Sequence, residues 1–337
     1  MKRPVFHSAA TAPSVAVFSF QEIIGDGFYK LPVLRRLRAA FPVARITWIT
    51  THDTVFAHKL APLTKGLIDE FREHSGIGNS AAGMIMPMPF REPFSLIIDT
   101  QSVVFRTLTL RRLPHGAFVS PAAKFLLSDF KPGRDRVRPR HMVDRLNELI
   151  ELAAGPVRTE LPPIFVPADL VARATLALPE GPRYIALAPG AGNRVKCWPL
   201  DHFIALAQAL QAQGYTPAFV IGPNETEWVA PLRAAVPGAL FPEQATCWEP
   251  GFSPLRTMAI AGRCAAAVAN DAGVSHMFGA ADIPLLTLYG PTDSEKFRPR
   301  VTHGRVLRAS DYGSQETRAI PLAAVLANLN MLLEGRT

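Results

Sequence analysis

The sequence predicts an α/β protein built from two Rossmann-like domains that face each other across a cleft. The chain has 337 residues, more than the length at which a single hydrophobic core keeps growing. Short apolar runs alternate with helical patterns in both halves, which is typical of parallel sheets covered on both faces. A proline-rich stretch, RTELPPIFVPADL from Arg158 to Leu170, separates the halves and suits a linker.

The first half carries strand and helix patterns in alternation. Its β-branched apolar runs predict buried strands over 15–18, 46–50, 67–69 and 96–99. Helical spacing predicts helices over 32–41 and 142–152, and Gly155-Pro156 ends the second. Between the first strand and helix lies Gly25-Asp26-Gly27, which we interpret as a turn that carries a carboxylate.

The second half repeats this scheme. Strands are predicted over 184–188, 217–221, 266–269 and 285–289, and helices over 203–213, 253–261 and 322–333. The predicted domains are residues 1–160 and 161–320, followed by a C-terminal helix in 321–337 that packs back toward the first domain. Ligands of open parallel sheets bind at the carboxyl ends of the strands, so we expect the site in the cleft between the halves.

The charge is unevenly distributed. Residues 1–165 hold 22 Lys and Arg against 14 Asp and Glu, whereas residues 166–337 hold 14 of each. The excess is densest around Arg134, Arg136 and Arg138. A basic half favours an anionic partner, such as a membrane surface or an acidic ligand, over a merely solvated face. Nucleic acid is the least favoured partner because no recognisable binding module accompanies the charge.

The composition favours a cytoplasmic protein. Apolar runs are too short to span a bilayer, and Met1-Lys2-Arg3 is followed by polar residues that a signal peptide would lack. The three cysteines are odd in number and lack metal-binding spacing, which fits a reducing compartment. Peripheral contact with a membrane surface stays open.

Two loops after predicted strands offer groups that bind anions. In PGAGNRVKCWPLDHF, Gly190 and Gly192 let backbone N–H groups turn toward an anion, and Lys196 adds positive charge. The spacing is not that of a P-loop, and a purely structural turn is the alternative. In NDAGVSHMFGAAD, a helix begins near Gly273, and Asp271, Ser275 and His276 lie around its start. Here the alternative is that Asp271 caps the helix and His276 is packed.

Two further loops follow predicted strands. Glu225 in VIGPNETEW is placed to accept hydrogen bonds from sugar hydroxyls, or else belongs to the acidic first turn of the next helix. Thr292 in YGPTDSEKFRP contacts a phosphate or only forms a turn. Together the four loops suit a nucleoside diphosphate. No Asp-x-Asp pair occurs in the chain, so a metal-held diphosphate is disfavoured and we predict no metal site.

These segments resemble glycosyltransferase family 9, the ADP-heptose:lipopolysaccharide heptosyltransferases. The similar segments are PGAGNRVKCWPLDHFIALAQAL, NDAGVSHMFGAADIPLLTLYGPTD and IGDGFYKLPVLRRLRAAFP. The resemblance covers most of the chain and is weaker near 73–90, 236–252 and 308–318. It implies a GT-B fold, with the acceptor domain first and the nucleotide-sugar domain second.

The resemblance also implies roles. Asp26 matches the aspartate that is the general base in the family, so it is expected to deprotonate the acceptor in an inverting transfer. The structural alternative is that Asp26 only caps a helix over 28–41. Lys196 is expected to stabilise the leaving diphosphate, the other loop residues to bind the donor, and Arg134, Arg136 and Arg138 to bind an anionic lipopolysaccharide acceptor. The nucleotide sugar is a substrate, and no cofactor is expected.

The chain departs from the family pattern at several positions. Glu22-Ile23 replaces a serine, and Ala191, Gly192 and Ala272 stand where the family has threonines. Two other functions stay open: a degenerate member that binds nucleotide sugar or glycolipid without turnover, and a nucleotide-sugar epimerase. A dinucleotide oxidoreductase is disfavoured because no Gly-x-Gly-x-x-Gly follows the first strand.

Overall fold

The computed structural model describes residues 13–157 and 164–335. The chain divides into two compact units, Met1–Pro162 and Pro163–Thr337. Part of the predicted linker, residues 158–163, lies outside the described residues, as does the N-terminal Met1-Lys2-Arg3. The linker prediction is wrong at its end, because Ala168 already begins a helix.

The first unit contains a parallel sheet of five strands with the order β3-β2-β1-β4-β5. Its strands are β1 Ser14–Ser19, β2 Arg45–Thr50, β3 Glu70–Arg72, β4 Phe94–Asp99 and β5 His115–Val119. Its α-helices are α1 Ile24–Ala40, α2 Ala61–Thr64, α3 Val104–Leu110 and α4 Met142–Ala154.

The second unit contains another five-stranded parallel sheet, with the order β10-β9-β8-β6-β7. Its strands are β6 Tyr184–Ala188, β7 Thr216–Phe219, β8 Cys264–Asn270, β9 Leu285–Tyr289 and β10 Gly304–Arg308. Its α-helices are α5 Ala168–Ala177, α6 Leu200–Ala212, α7 Val229–Ala235, α8 Pro254–Ala261, α9 Gly273–Ala280, α10 Ser294–Phe297 and α11 Leu322–Glu334.

Each sheet reverses its strand order beside its first strand. In the first unit β1 lies between β2 and β4, and in the second unit β6 lies between β7 and β8. The loops that leave β1 and β4, or β6 and β8, therefore diverge and leave a crevice at the carboxyl edge. In open α/β sheets this switch point is where ligands bind.

The core of the second unit includes the C-terminal helix. Val325 and Leu329 of α11 are fully buried in the same cluster as Ile185 of β6 and Leu286 of β9. The predicted contact of this helix with the first domain stays a prediction. None of the helices in the described part of the chain has the length and apolar character that crossing a membrane requires.

Several predicted boundaries are wrong. The strand predicted over 67–69 is a turn, and β3 starts at Glu70. Here the Asp69 carboxylate accepts hydrogen bonds from the Ile46 N–H (2.7 Å) and from Arg38 (2.6 Å). A side chain therefore occupies the N–H of Ile46 in β2, and β3 begins only after Asp69. The edge strands β5 and β10 were not predicted, because their sequences HGAFV and GRVLR lack a continuous apolar run.

The interpretation of Gly25-Asp26-Gly27 as a turn is also wrong. Helix α1 begins at Ile24, so all three residues lie in its first turn. Gly27 is required by packing, because a Cβ there would lie 2.7 Å from Val55 Cγ2 and would also clash with the Leu60 side chain. The glycine lets the segment after β2 pack directly on the start of α1.

Candidate functional site

Asp26 is the third residue of α1, directly beyond the carboxyl end of β1. It is partly buried, and its carboxylate accepts a hydrogen bond from the Ile23 backbone N–H. An acid in a first helical turn is also stabilised by the helix dipole. Burial raises the pKa of Asp26 above its ordinary value, while the positive charge of Lys30 counteracts this rise. A carboxyl with a raised pKa at a switch point is suited to general base catalysis.

The alternative that Asp26 caps a helix over 28–41 is wrong. The N-cap residue is Ile23, and Asp26 lies inside the helix. Its contact with the Ile23 N–H resembles the reciprocal half of a capping box, in which an acid at the third helical position binds the N-cap backbone. An amide oxygen at this position is able to accept the same hydrogen bond.

A buried ion pair next to Asp26 was not predicted. Lys30 Nζ lies 2.7 Å from Glu22 Oε1 and donates to Ser19 Oγ at 2.9 Å. Thr54 Oγ1 donates to Glu22 Oε2 at 2.6 Å. Burial alone would raise the pKa of Glu22, but the charge of Lys30 and these hydrogen bonds hold it below its ordinary value. The charges of Lys30 and Glu22 both act on Asp26, in opposite directions.

Lys30→Met is expected to move the acid limb of the pH–rate profile to higher pH. Lys30 lowers the pKa of Asp26, so its removal leaves the carboxyl protonated up to a higher pH. The measurement is turnover against pH for wild type and variant.

The control removes the partner as well, because Lys30→Met alone leaves Glu22 buried without its ion pair. The double variant Glu22→Gln/Lys30→Met should shift the limb in the same direction but by less, since Glu22 has the weaker and opposite effect on Asp26. An acid limb that stays in place in both variants would contradict this account of the pair.

In the second unit, the loops after β6 and β7 meet at Glu225. A Cβ on Gly190 would lie 2.8 Å from the Glu225 carboxyl carbon, and one on Gly222 would lie 2.9 Å from Oε2. Within the described residues the Glu225 carboxylate accepts no hydrogen bond. Burial raises its pKa, and Arg194 counteracts that rise. A half-enclosed carboxylate that accepts nothing from the protein is suited to accept from sugar hydroxyls.

The loops after β6 and β8 meet at an ion pair. Lys196 Nζ lies 2.7 Å from Asp271 Oδ2, and the Lys196 side chain is 32% exposed against 8% for Asp271. The alternative that Asp271 caps α9 is wrong, because the N-cap residue of this helix is Ala272. Lys196 thus presents positive charge at the carboxyl edge of the sheet, on the β6 side of the switch point.

Asn270 was not singled out from the sequence, although it positions Lys196. Its Nδ2 donates to the Pro189 carbonyl at 2.7 Å, and its Oδ1 accepts from the Trp198 N–H at 3.0 Å. The fully buried amide therefore ties β8 to both ends of the segment that carries Gly190 and Lys196. Its place at the end of β8, directly before Asp271, was the only sequence signal.

Helix α9 begins between these loops without a side-chain cap. The N-cap residue is Ala272, whose side chain offers no acceptor for the first-turn N–H groups. The buried Ser275 hydroxyl donates to the Ala272 carbonyl at 2.7 Å, so it closes the first turn. His276 is 9% exposed and packed in the same turn. First-turn N–H groups that no side chain caps favour an anionic ligand.

The loop after β9 also approaches the Lys196 segment. A Cβ on Gly290 would lie 3.1 Å from the Gln315 carbonyl oxygen and 3.9 Å from that of Val195. Thr292 is partly buried, whereas Asp293 caps α10 by accepting from the Glu295 N–H at 3.0 Å. Gly192 has nothing within 4 Å of its Cβ position. The structure thus brings the four predicted loops to one edge of the second sheet.

The three arginines predicted to bind an acceptor differ in their contacts. The Arg136 guanidinium makes two hydrogen bonds with the Glu148 carboxylate, and it lies 5.0 Å from the centroid of the Phe125 ring. Arg134 and Arg138 are exposed. Arg136 therefore anchors the basic loop to α4, and its two neighbours carry the accessible charge.

One group of described side chains has the composition of a metal site. Ligand atoms of Asp53, His58 and Glu73 lie within 4.8 Å of one another. These atoms are already paired, since His58 Nε2 lies 3.1 Å from Glu73 Oε1, and Asp53 Oδ1 lies 2.7 Å from His74 Nε2. The group belongs to the first unit, whereas the four loops belong to the second.

Comparisons with known proteins identify the family. The sequence profile of glycosyltransferase family 9 (heptosyltransferase) matches residues 105–322. Lipopolysaccharide heptosyltransferase 3 of Escherichia coli is 27% identical over 168 residues, which cover 47% of this chain and 49% of that protein. The chain spans half or less of the length of the first curated relatives that it matches.

Solved structures share the fold. The glycosyltransferase family 9 protein of Veillonella parvula DSM 2008 matches with a TM-score of 0.68 and 20% identity, over 96% of this chain and 97% of that one. The E. coli heptosyltransferase WaaC, solved with ADP, matches with a TM-score of 0.64 and 20% identity, over 95% and 98%. These matches confirm the predicted α/β fold of GT-B type.

Proposed function

Because the chain belongs to glycosyltransferase family 9, the heptosyltransferase family, we propose that it transfers a sugar from a nucleotide donor to a glycolipid acceptor. The proposed donor is ADP-heptose and the proposed acceptor is the inner core of lipopolysaccharide. The names of relatives support both choices, since two are lipopolysaccharide heptosyltransferases and one solved neighbour is named with an ADP-heptose derivative.

The second unit would bind the donor. Glu225 accepts hydrogen bonds from hydroxyls of the donor, because its carboxylate is held between two glycines and accepts none from the described protein. The diphosphate lies against Lys196 and the first turn of α9. Thr292 lies next to it, and the open space beside Gly192 leaves room for it. Since Ala272 and Gly192 lack the family's hydroxyls, backbone N–H groups and Lys196 supply the contacts to phosphate.

The first unit would supply the base. Asp26 lies before the residues that the family profile matches, so its role rests on its position beyond β1 and on its raised pKa. The Asp26 carboxylate takes the proton of an acceptor hydroxyl while that oxygen attacks the anomeric carbon. The bond from this carbon to the diphosphate oxygen breaks, and its electron pair leaves with the diphosphate, whose charge Lys196 stabilises. Protonated Asp26 then returns its proton to solvent.

The observation that carries the proposal is the convergence of Glu225, Lys196 and the uncapped start of α9 at one sheet edge. The test incubates the protein with ADP-heptose and a soluble, deacylated inner-core oligosaccharide, followed by mass spectrometry. We expect the acceptor to gain the mass of one heptose. Binding of ADP without any transfer would instead support the degenerate family member, and epimerised donor would support the epimerase.

Transfer is expected to be independent of divalent metal. Lys196 and the helix start supply the positive field that a metal provides in other transferases, and the sequence has no Asp-x-Asp pair to hold one. Initial rates measured in EDTA and in magnesium should agree within about twofold. Loss of a catalytic metal would remove several kcal/mol of transition-state stabilisation and slow the reaction far more than that. A large loss in EDTA that magnesium reverses would contradict the role given to Lys196.

Acceptor binding is expected to depend on the exposed arginines of the basic loop. Arg134→Gln/Arg138→Gln should raise the KM for the anionic acceptor by about tenfold and weaken its salt dependence, because each arginine offers a charge-assisted hydrogen bond. The KM for the donor should stay unchanged. Arg136 is left in place because it binds Glu148. An unchanged KM for the acceptor would return this loop to the solvated-face interpretation.

A further inference from the structure

Exposed apolar side chains form a tip on the first unit. Ile85 is 85% exposed, Met86 58% and Met84 36%. These three residues, here called the apolar tip, begin at the last residue of a short 3-10 helix, Ala81–Met84. Three neighbouring large apolar residues exposed together are unusual for a surface that meets only water, and they often mark a binding surface.

The protein holds the apolar tip in this position. Arg112 Nη1 donates to the carbonyl oxygens of Gly83 and Met86, both at 2.8 Å, and so fixes the chain directly before the tip and at the last residue of the tip. Downstream, Met88 and Phe90 pack against the core. Because the flanking residues are anchored, the exposed side chains are presented outward by specific contacts.

Helix α3 lies beside the tip and exposes further apolar residues. Val104 and Leu108 are 45% and 39% exposed, and their spacing of four places them on one face of the helix. Arg112 follows at the same spacing. A Cβ on Gly83 would lie 3.5 Å from Thr109 Cγ2, so the start of the tip contacts α3 directly.

The part of the sequence around the tip is basic. Residues 75–140 contain ten Lys and Arg against four Asp and Glu, and of these Arg112 contacts the tip directly. Within the described residues, no carboxylate lies within ion-pair distance of Arg91, Arg106 or Arg112. Arg106 instead lies 3.5 Å from the centroid of the Phe20 ring and donates to the Gly78 carbonyl at 3.1 Å. These three arginines therefore have no direct ion-pair partner in the described residues, although the charge of Arg106 acts on the buried Asp99 carboxylate.

We propose that the apolar tip, with Val104 and Leu108, docks onto an anionic lipid bilayer. The Ile and Met side chains enter the boundary between headgroups and acyl chains, and the arginines bind the lipid phosphates. A second copy of the chain fits less well, because a symmetric contact would place the same arginines opposite each other. The inference deepens the proposed function, since a glycolipid acceptor is presented in a membrane.

The test is cosedimentation with vesicles that contain no acceptor. Wild type should bind phosphatidylcholine vesicles with about 30% phosphatidylglycerol, and at least about tenfold more weakly when salt rises from about 0.1 to about 0.5 M. Met84→Ser/Ile85→Ser/Met86→Ser should bind at least about tenfold more weakly than wild type at low salt. The single variant Ile85→Asp should also lose binding, in case the triple variant folds poorly.

The matched control is Val43→Ser, which changes an apolar residue of 73% exposure that is not part of the tip and should bind vesicles like wild type. Vesicle binding by both tip variants equal to that of wild type would overturn the proposal. So would a wild-type dimer that the tip variants abolish in the absence of lipid. Transfer to the soluble acceptor should persist in the tip variants, so a failure of docking and a failure of the proposed activity are separate results.

Discussion

Asp26→Asn should lower turnover by about 10²–10⁴-fold, the usual contribution of a general base. The amide keeps the size of the side chain and an oxygen for the Ile23 N–H, but it accepts no proton. The melting temperature and the affinity for ADP should therefore stay close to those of wild type. The measurement is kcat in the transfer assay, together with ADP titration of both proteins.

A matched control separates catalysis from helix stabilisation. Asp169 is also an acid in a first helical turn, at the exposed start of α5. Asp169→Asn loses a similar interaction with the helix dipole, so it should keep wild-type turnover. Full activity of Asp26→Asn would remove Asp26 from the mechanism, and equal losses in both variants would point to stability instead.

Lys196→Ala should lower the affinity for ADP by about 10- to 100-fold, which corresponds to the loss of one charge-assisted contact to phosphate. The affinity for adenosine should change little, because this nucleoside carries no phosphate. Calorimetric titration with both ligands measures the difference directly.

Arg194→Ala is the matched control for Lys196. Arg194 lies two residues earlier on the same 3-10 helix, where it pairs with Glu227 at 2.6 Å and lies 4.2 Å from the centroid of the Trp228 ring. Its removal should cost ADP affinity much less than the removal of Lys196. If Lys196→Ala weakened ADP and adenosine equally, the lysine would serve to hold Asp271 and the loop rather than the phosphate.

The central strands could be predicted because their sequences are mostly apolar and rich in β-branched residues. Runs such as Val15–Phe18 and Leu285–Tyr289 are buried on both faces of a parallel sheet, so they lack the alternation of a half-exposed strand. The position of the four predicted loops followed from the same reasoning, since parallel strands bring their carboxyl ends to one edge. This is why Glu225, Lys196 and Asp271 could be placed together.

Features that depend on contacts between distant segments could not be predicted. From the sequence alone, Gly27 suggested a turn. In the structure the side chains of Val55 and Leu60, about thirty residues later, leave little space for a Cβ at this position. The ion pair of Glu22 and Lys30 could not be predicted from neighbouring residues alone, because it also depends on hydrogen bonds with Ser19 and with Thr54, which lies beyond β2. The field around Asp26 is therefore a property of the folded unit.

Direct displacement assisted by Asp26 is the central claim, and the configuration of the product tests it most directly. A single displacement at the anomeric carbon inverts its configuration, whereas a covalent intermediate on the enzyme retains it. NMR of the purified product, made from a donor of defined anomer, measures the outcome. We predict complete inversion with release of one ADP per linkage formed, and a product of retained configuration would contradict the mechanism.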